Sequence, residues 1–410
     1  MSEWVEKPLG EMIDVNPAVK LIKGEAYPFI DIDKVERQNK TVTNIETRVF
    51  DGQGGSRFEN GDTVFSRITP CLENRKIAKV KIDNNMGFGS TEFFVFRGKR
   101  GICNNDFAHY LVSSDWVVLP AINSMTGASG RQRADRKFVG NIKIKFPDLP
   151  TQTIIADILS AYDDAIENNN RRITLLEKAA RELYREWFVR FRFPGYEGAR
   201  FVNGLPEGWE VKRLGDMVNI TSSKRIYLSD YVEDGIPFYR SKEVIQSANG
   251  DVLTEPLYIS VDKYTELKDK FGAPCENDIL ITSVGTIGVS LLVDKCIFYF
   301  KDGNLTWLQS GTKPEFALYT FLWLNSDIGK GALLSSAIGT SQSALTIENL
   351  KRIKLIKPSD TVLSEFYGSV MPLVELKRAL QAQSQNLACQ RDLFLPRLMS
   401  GKLEVISSYE

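Results

Sequence analysis

The chain has 410 residues, 43% of them hydrophobic and 25% charged, with 52 basic and 52 acidic side chains. That length exceeds one ordinary core and, at roughly 100 to 200 residues per domain, argues for two to four units. The balanced charge excludes attraction of the whole molecule to a polyanion, so binding of that kind must rest on local patches, and the single histidine removes most routes to histidine-based nucleophilic catalysis or metal binding.

The chain starts Met1-Ser2-Glu3-Trp4, without the basic and apolar stretches of a secretory signal, and no apolar run approaches the ~18 residues of a membrane span. A cytoplasmic protein with no membrane role is the expectation. Cys71, Cys103, Cys275, Cys296 and Cys389 show neither disulfide spacing nor a C-x-x-C knuckle, so they are expected to be reduced and mostly buried, with no metal bound. Short β-rich runs such as 91–96, broken by Gly, Asn, Asp and Pro, predict strands joined by turns, and the pattern around 105–122 predicts a helix. His109 lies in Phe107-Ala108-His109-Tyr110-Leu111, where it reads as a packed helix residue.

From Thr151 to Phe191 neither Pro nor Gly interrupts the chain. Leu159, Tyr162, Ile166, Asn169, Ile173, Leu176, Ala180, Leu183 and Trp187 occupy successive a and d places of a heptad, the pattern of a coiled-coil seam. Asn169 is the one polar member, and a lone amide on such a seam can fix register. The text then repeats. Trp4 to Ile13 returns as Trp209 to Val218, a shift of 205 positions, and later matches keep their order: Glu59-Asn60-Gly61-Asp62 with Glu276-Asn277-Asp278, Phe107 to Tyr110 with Phe316 to Tyr319, and Ile142 to Pro147 with Ile353 to Pro358. Strands such as 279–283 and a helix near 314–330 are therefore expected again. A second heptad follows: Leu363, Phe366, Val370, Leu373, Lys377, Leu380, Ser384, Leu387, Arg391, Phe394 and Leu398.

The resulting expectation is an α+β protein with two pseudo-repeated domains, 1–147 and 205–357, each trailed by a long helix, 148–193 and 358–403. The simplest burial of both seams is against each other, antiparallel. A helix of ~40 residues rises about 60 Å, on the scale of the ~34 Å that separates half-sites one turn apart on a duplex.

Four stretches resemble the specificity subunit of Type I restriction-modification enzymes, and together they span nearly the whole chain: Gly61 to Ala78 with Gly89-Ser90-Thr91-Glu92-Phe93; Asn277 to Gly288; the loops before each long helix; and Leu183-Tyr184-Arg185-Glu186-Trp187-Phe188 with Phe191 to Tyr196. The resemblance implies that each domain is a target recognition domain reading one half of a split double-stranded DNA sequence. It also implies helices that set the gap and dock methyltransferase subunits, two of them, with restriction/translocase subunits joining the full complex. The domains as read from residues alone leave a second possibility, a scaffold in which tandem modules on a coiled-coil rod bind peptides or sugars.

The loop from Thr126 to Lys145 carries Arg131, Arg133, Arg136, Lys137, Lys143 and Lys145 against Asp135 alone, a local excess able to neutralise phosphates. Gly127, Ser129 and Gly130 permit close backbone approach, while Arg131, Gln132 and Arg133 supply forks for guanine and an amide for adenine. The matching loop, Gly339-Thr340-Ser341-Gln342-Ser343, is nearly uncharged; Gln342 is expected on a base, with Lys351, Arg352 and Lys354 on the backbone or in the fold. Further DNA candidates are Ser66, Arg67 and Thr69, then Arg240, Ser241 and Lys242, and Ser283, Gly285 and Thr286. No catalytic residue or cofactor is expected. Asn16-Pro17-Ala18 lacks the second proline and aromatic of a methyl-transfer segment, and Gly401-Lys402-Leu403 lacks the upstream glycine of a phosphate loop.

Overall fold

The computed structural model describes residues 4–36, 39–42, 45–337 and 344–405. The chain divides into two compact units, one formed by the residues up to Asn168 together with those from Asn386 onward, the other by Asn169–Gln385.

In the first unit, a four-stranded antiparallel sheet runs in the order Ile13–Val15, Phe93–Gly98, Thr63–Ser66, Ile77–Lys79. Its central strands are apolar on both faces because both are covered. Phe65, Phe94 and Phe96 point into the core that holds the helix Asn105–Ser113, while the alternate residues Val64, Phe93 and Val95 enter a second core with Ile30 and Val80. A second sheet, ordered Glu46–Val49, Ala26–Ile30, Met86–Gly89, Ser56–Glu59, contains one parallel pair. Val5–Pro8 pairs antiparallel with Lys143–Phe146, so the domain closes where the long helix begins.

The second unit repeats the antiparallel sheet and its closing strand pair. Asn219–Thr221, Leu305–Gln309, Ile279–Thr282 and Ser290–Leu292 form the equivalent antiparallel sheet. Ile279, Ile281 and Leu308 enter one core and Leu280, Leu305 and Trp307 the other. Tyr231–Val232, Leu257–Ile259, Ile236–Tyr239 and Tyr299–Phe300 make the second sheet, again with one parallel pair. Glu210–Arg213 closes on Lys354–Lys357. The helices Ser241–Asn249 and Val261–Phe271 stand in the second copy where the described part of the first has none.

Two expectations are corrected. Each single helix is two: Asn105–Ser113 with Asp115–Asn123, and Pro314–Asn325 with Asp327–Ser336. Ser114 and Ser326 break them at the same place, each extended in backbone and donating its hydroxyl to the carbonyl three residues back, Leu111 and Trp323, at 2.6 Å. The cysteines are not mostly buried. Cys103 is, and burial pushes its thiol up to about 12, but Cys71 is half-buried and Cys275, Cys296 and Cys389 are exposed, on turns or on the outer side of a helix. His109 is buried in its helix with Nδ1 3.2 Å from Thr63 Oγ1.

The long helices are Leu149–Tyr184, extended by a π-helical turn Arg185–Val189, and Asp360–Met399. None of the seam positions read from either heptad is exposed, whereas most residues between them are. Within the second unit the two helices run antiparallel: Asn169 Nδ2 donates to Gln383 Oε1 at 3.0 Å, Lys377 pairs with Glu177 at 2.7 Å, and Trp187 packs on Phe366. Trp187, Phe188, Tyr184, Tyr319 and Trp209 join Phe366 in an aromatic core there. Within the first unit Tyr162 meets Phe394, and Arg391 reaches the buried Asp163 at 2.5 Å. The seam thus carries hydrophobes for burial and a few paired polar groups that oppose slippage.

Candidate nucleic-acid interface

At the end of Thr63–Ser66 the chain leaves the sheet through Arg67, Ile68 and Thr69, and the loop 124–135 is stitched alongside. Thr69 N–H donates to the Gln132 carbonyl at 3.0 Å, Gln132 N–H to Thr69 Oγ1 at 3.1 Å, and Ala134 N–H to the Arg67 carbonyl at 2.8 Å. Arg133 exchanges backbone bonds with Thr126 at 2.9 and 3.1 Å. Between these rungs the chain turns at Gly127, φ +128°, and Gly130, φ +76°, values an L side chain rarely adopts. Ser129, Gly130 and Arg131 form an exposed tip.

The second copy repeats the stitching. Arg67 N–H donates to the Glu92 carbonyl at 2.9 Å, as Ser283 N–H does to that of Asn304 at 2.8 Å; Ala134 N–H donates to Arg67, as Leu345 N–H does to Ser283 at 2.9 Å. The bridge Ile68 to Arg133 has its counterpart in Val284 to Ala344. Positions 67, 92 and 133 therefore correspond to 283, 304 and 344.

The side chains at these positions differ in charge. Arg133 Nε and Nη2 donate to the Glu92 carboxylate at 2.9 and 2.6 Å, its Nη1 donates to the Arg131 carbonyl at 3.3 Å, and Arg67 Nε reaches Glu92 at 3.4 Å. The Arg133 hydrogen bond, opposed by partial burial and aided by the Arg67 charge, holds the Glu92 carboxyl below the usual carboxylate range. At the equivalent positions Ser283, Asn304 and Ala344 carry no charge. An ion pair this exposed adds little to stability, because water screens it and two long side chains lose freedom to form it, so its main effect is to fix the planar Arg133 fork in direction.

The candidates from sequence separate accordingly. Arg131 is exposed, and its guanidinium has no partner among the described residues; Ser129 and Lys137 are also exposed, and Arg136 is exposed while donating to the Val15 carbonyl. Gln132 is half-buried with its backbone engaged. Arg133, read as a free fork, is not free: three of its N–H groups are engaged. Ser66 is fully buried and Thr69 nearly so, hence neither side chain lies on the surface. Ser283 is buried too, 2.6 Å from Thr306 Oγ1, while Gly285, φ +78°, and Thr286 form the exposed turn beyond it.

Arg240 is committed to the buried Glu243, with Nη2 to Oε1 at 2.5 Å closing the start of the helix Ser241–Asn249; burial opposes ionisation of Glu243, but the Arg240 hydrogen bonds hold its carboxyl below the ordinary range. The Ser241 hydroxyl is buried without a partner among the described residues, and Lys242 Nζ donates to the Thr254 carbonyl at 3.1 Å. Of the three, Arg240 is engaged at the helix start, Ser241 has its hydroxyl buried and Lys242 is exposed while bonded to a neighbouring loop. Thr340, Ser341, Gln342 and Ser343 lie outside the described residues. Glu92 stands 41 residues from Arg133, so a balance of charges along the basic loop alone does not reveal it.

Two copies of one α+β domain, each offering a loop stitched beside a strand end, together with two long heptad-bearing helices, define a tandem recognition protein. The model of the Type I restriction modification DNA specificity domain matches residues 1–178 and again 206–361; the chain belongs to that family. It is similar to the MjaIX specificity subunit of Methanocaldococcus jannaschii, 27% identical over 92% of this chain and 84% of the relative, and to the HindI specificity subunit of Haemophilus influenzae, 24% identical over 98% and 100%. Among solved structures, the S subunit of a Type I restriction-modification system from M. genitalium shares the fold, with a TM-score of 0.59 and 15% identity over 99% of this chain and 97% of that one. No helix among the described residues is long and apolar enough to cross a membrane, and no cluster there could hold a metal ion.

Proposed function

We propose that this chain reads a bipartite double-stranded DNA target on behalf of a restriction-modification complex, residues 1–147 taking one half and residues 205–357 the other. The helical segments 148–193 and 358–403 fix the spacing of the halves and dock two modification subunits, and restriction/translocase subunits complete the assembly. The observation that carries this reading is the duplication: two antiparallel sheets of identical strand order, each with its strand end held by equivalent backbone bonds, Ala134 to Arg67 in one copy and Leu345 to Ser283 in the other, on one family-matched chain. A duplicated reader on one polypeptide suits two different half-sites, because each copy can vary its loop chemistry while the scaffold is kept.

In the first domain Arg131 reads a base edge from the glycine-bounded tip, and Arg136 and Lys137 hold phosphates. In the second, Gly285 and Thr286 approach the duplex and Gln342 contacts a base. The uncharged second loop fits a peptide- or sugar-binding scaffold no better, since hydroxyls and amides read base edges equally well. Chemistry resides in the partner chains. Electrophoretic mobility shift with modification subunits added tests this. A discrete shift, resistant to competitor DNA and dependent on both domains, is expected; retardation that any DNA abolishes equally would contradict it.

A further inference from the structure

The two halves of the duplication are built alike in backbone and unlike in charge at three equivalent positions. Arg67, Glu92 and Arg133 stand in the first copy where Ser283, Asn304 and Ala344 stand in the second. Arg133 differs from its neighbour Arg131 in mechanical setting. Its backbone is bonded to Thr126, and the residues either side are bonded to Thr69 and Arg67, whereas Arg131 rides on a turn closed by the single bond from its own N–H to the Ala128 carbonyl, 3.0 Å. The guanidinium is fixed as well as the backbone. Of its five N–H groups, Nε and one on Nη2 face the Glu92 carboxylate and one on Nη1 faces the Arg131 carbonyl, which leaves one N–H on each terminal nitrogen. Those two are the donors left to meet acceptors such as guanine O6 and N7. Glu92 is anchored in turn by Arg67, which lies over the Phe94 ring at 5.6 Å.

Building on the function proposed above, we infer that Glu92 is a positioning residue for specificity in the first half-site: it aims the remaining fork of Arg133 at one base pair. The carboxylate makes no DNA contact itself. It removes the rotamers by which a free arginine would reach a phosphate, and so converts a residue able to bind any sequence into one that discriminates. The second domain carries Ser283, Asn304 and Ala344 at these positions, no clamp there, and reads its half through neutral groups, so the dependence on a fixed charge belongs to one half of the target alone.

The test is base-resolved methylation sequencing of a randomised-site plasmid library modified by the complete complex carrying the wild-type chain, Glu92→Gln, Arg133→Ala, the pair together, or Asn304→Ala. Glu92→Gln keeps size and removes the charge. It should relax one base position in one half of the motif, with discrimination there falling roughly ten- to hundredfold, while the other half stays as in wild type. Arg133→Ala should relax the same position, the double variant no further, and Asn304→Ala should leave that position strict. A Glu92→Gln motif identical to wild type, or an even loss across all positions, overturns the inference. A wild-type complex that yields no two-part motif overturns the function itself, and the inference with it.

Discussion

The buried acid on the central helix offers the sharpest test of how the first domain is held to the helices. Asp163 is 6% exposed, accepts from Tyr110 Oη at 2.5 Å and from Arg391 Nη1 at 2.5 Å, and thereby ties the helix Asn105–Ser113 to both long helices inside one unit. Removing one partner of a fully buried pair costs about 3 to 5 kcal/mol because a charge is left without compensation. Here the cost is trimmed at both ends: Arg391 keeps Asp392, at 2.8 Å, and is 23% exposed, while Tyr110 Oη keeps Ser160 Oγ at 3.4 Å. Asp163→Ala should therefore cost about 3 kcal/mol, near the lower limit, which at roughly 2 to 4 °C per kcal/mol for a unit of this size lowers its melting temperature by about 6 to 12 °C. Asp163→Leu with Arg391→Met, which removes both charges and keeps volume, should cost less than either single change. Circular dichroism melts of wild type, Asp163→Ala, Asp163→Leu, Arg391→Met and the double variant, at equal concentration, decide it. A melting temperature for Asp163→Ala within about 1 °C of wild type, or a double variant as costly as the two singles summed, would refute the argument.

Burial holds His109 neutral, with nearby Lys40 and Lys79 adding to the effect, down to a pKa of about 3 against 6.5 unfolded. The unfolded chain thus binds the extra proton between those values, so stability falls as pH drops from about 6.5 toward 3, by up to ~1.4 kcal/mol per unit; His109→Gln should flatten that slope in urea titrations at pH 4 to 7, and an unchanged slope would dismiss the cause. Arg131→Ala should relax one base position at about 1 to 3 kcal/mol, whereas a uniform loss over all sequences, seen in competition binding, would mark a phosphate contact. Inserting one heptad after Asn169, with a matching heptad immediately before Gln383 to keep their bond, adds roughly 10 Å of helix and should lengthen the spacer of the recognised motif; sequencing that finds the spacing unchanged would remove the ruler.

The repeat and the two seams were legible in the sequence because each is a periodic signal sustained over many positions: a polar residue misplaced at Asn169, Lys377 or Arg391 does not hide a heptad kept elsewhere, and each of these turned out to be paired across the seam or within it. The strand cores were legible for the related reason that Phe93 to Phe96 are apolar at every place, as a strand covered on both faces must be. The helix breaks were not, since Ser113-Ser114-Asp115 is a brief polar interruption in an otherwise apolar stretch, and the Ser114 hydroxyl bond to Leu111 marks a break too local to stand out from the surrounding pattern. Site residues fared unevenly for a physical reason. Exposure at a glycine-bounded tip follows from local composition, which is why Arg131 lies where expected. Partnership is decided by distant chain, so neither the clamp of Glu92 on Arg133, nor that of Glu243 on Arg240, nor the burial of Ser66 and Ser283 at strand ends could be read from neighbours in sequence.

The measurement closest to the central claim is methylome sequencing of cells whose complex carries a chain with residues 1–147 exchanged for those of a relative. Two modular readers predict a two-part motif in which one half changes and the other half is retained. A motif altered in both halves, or one that is contiguous, would contradict the account.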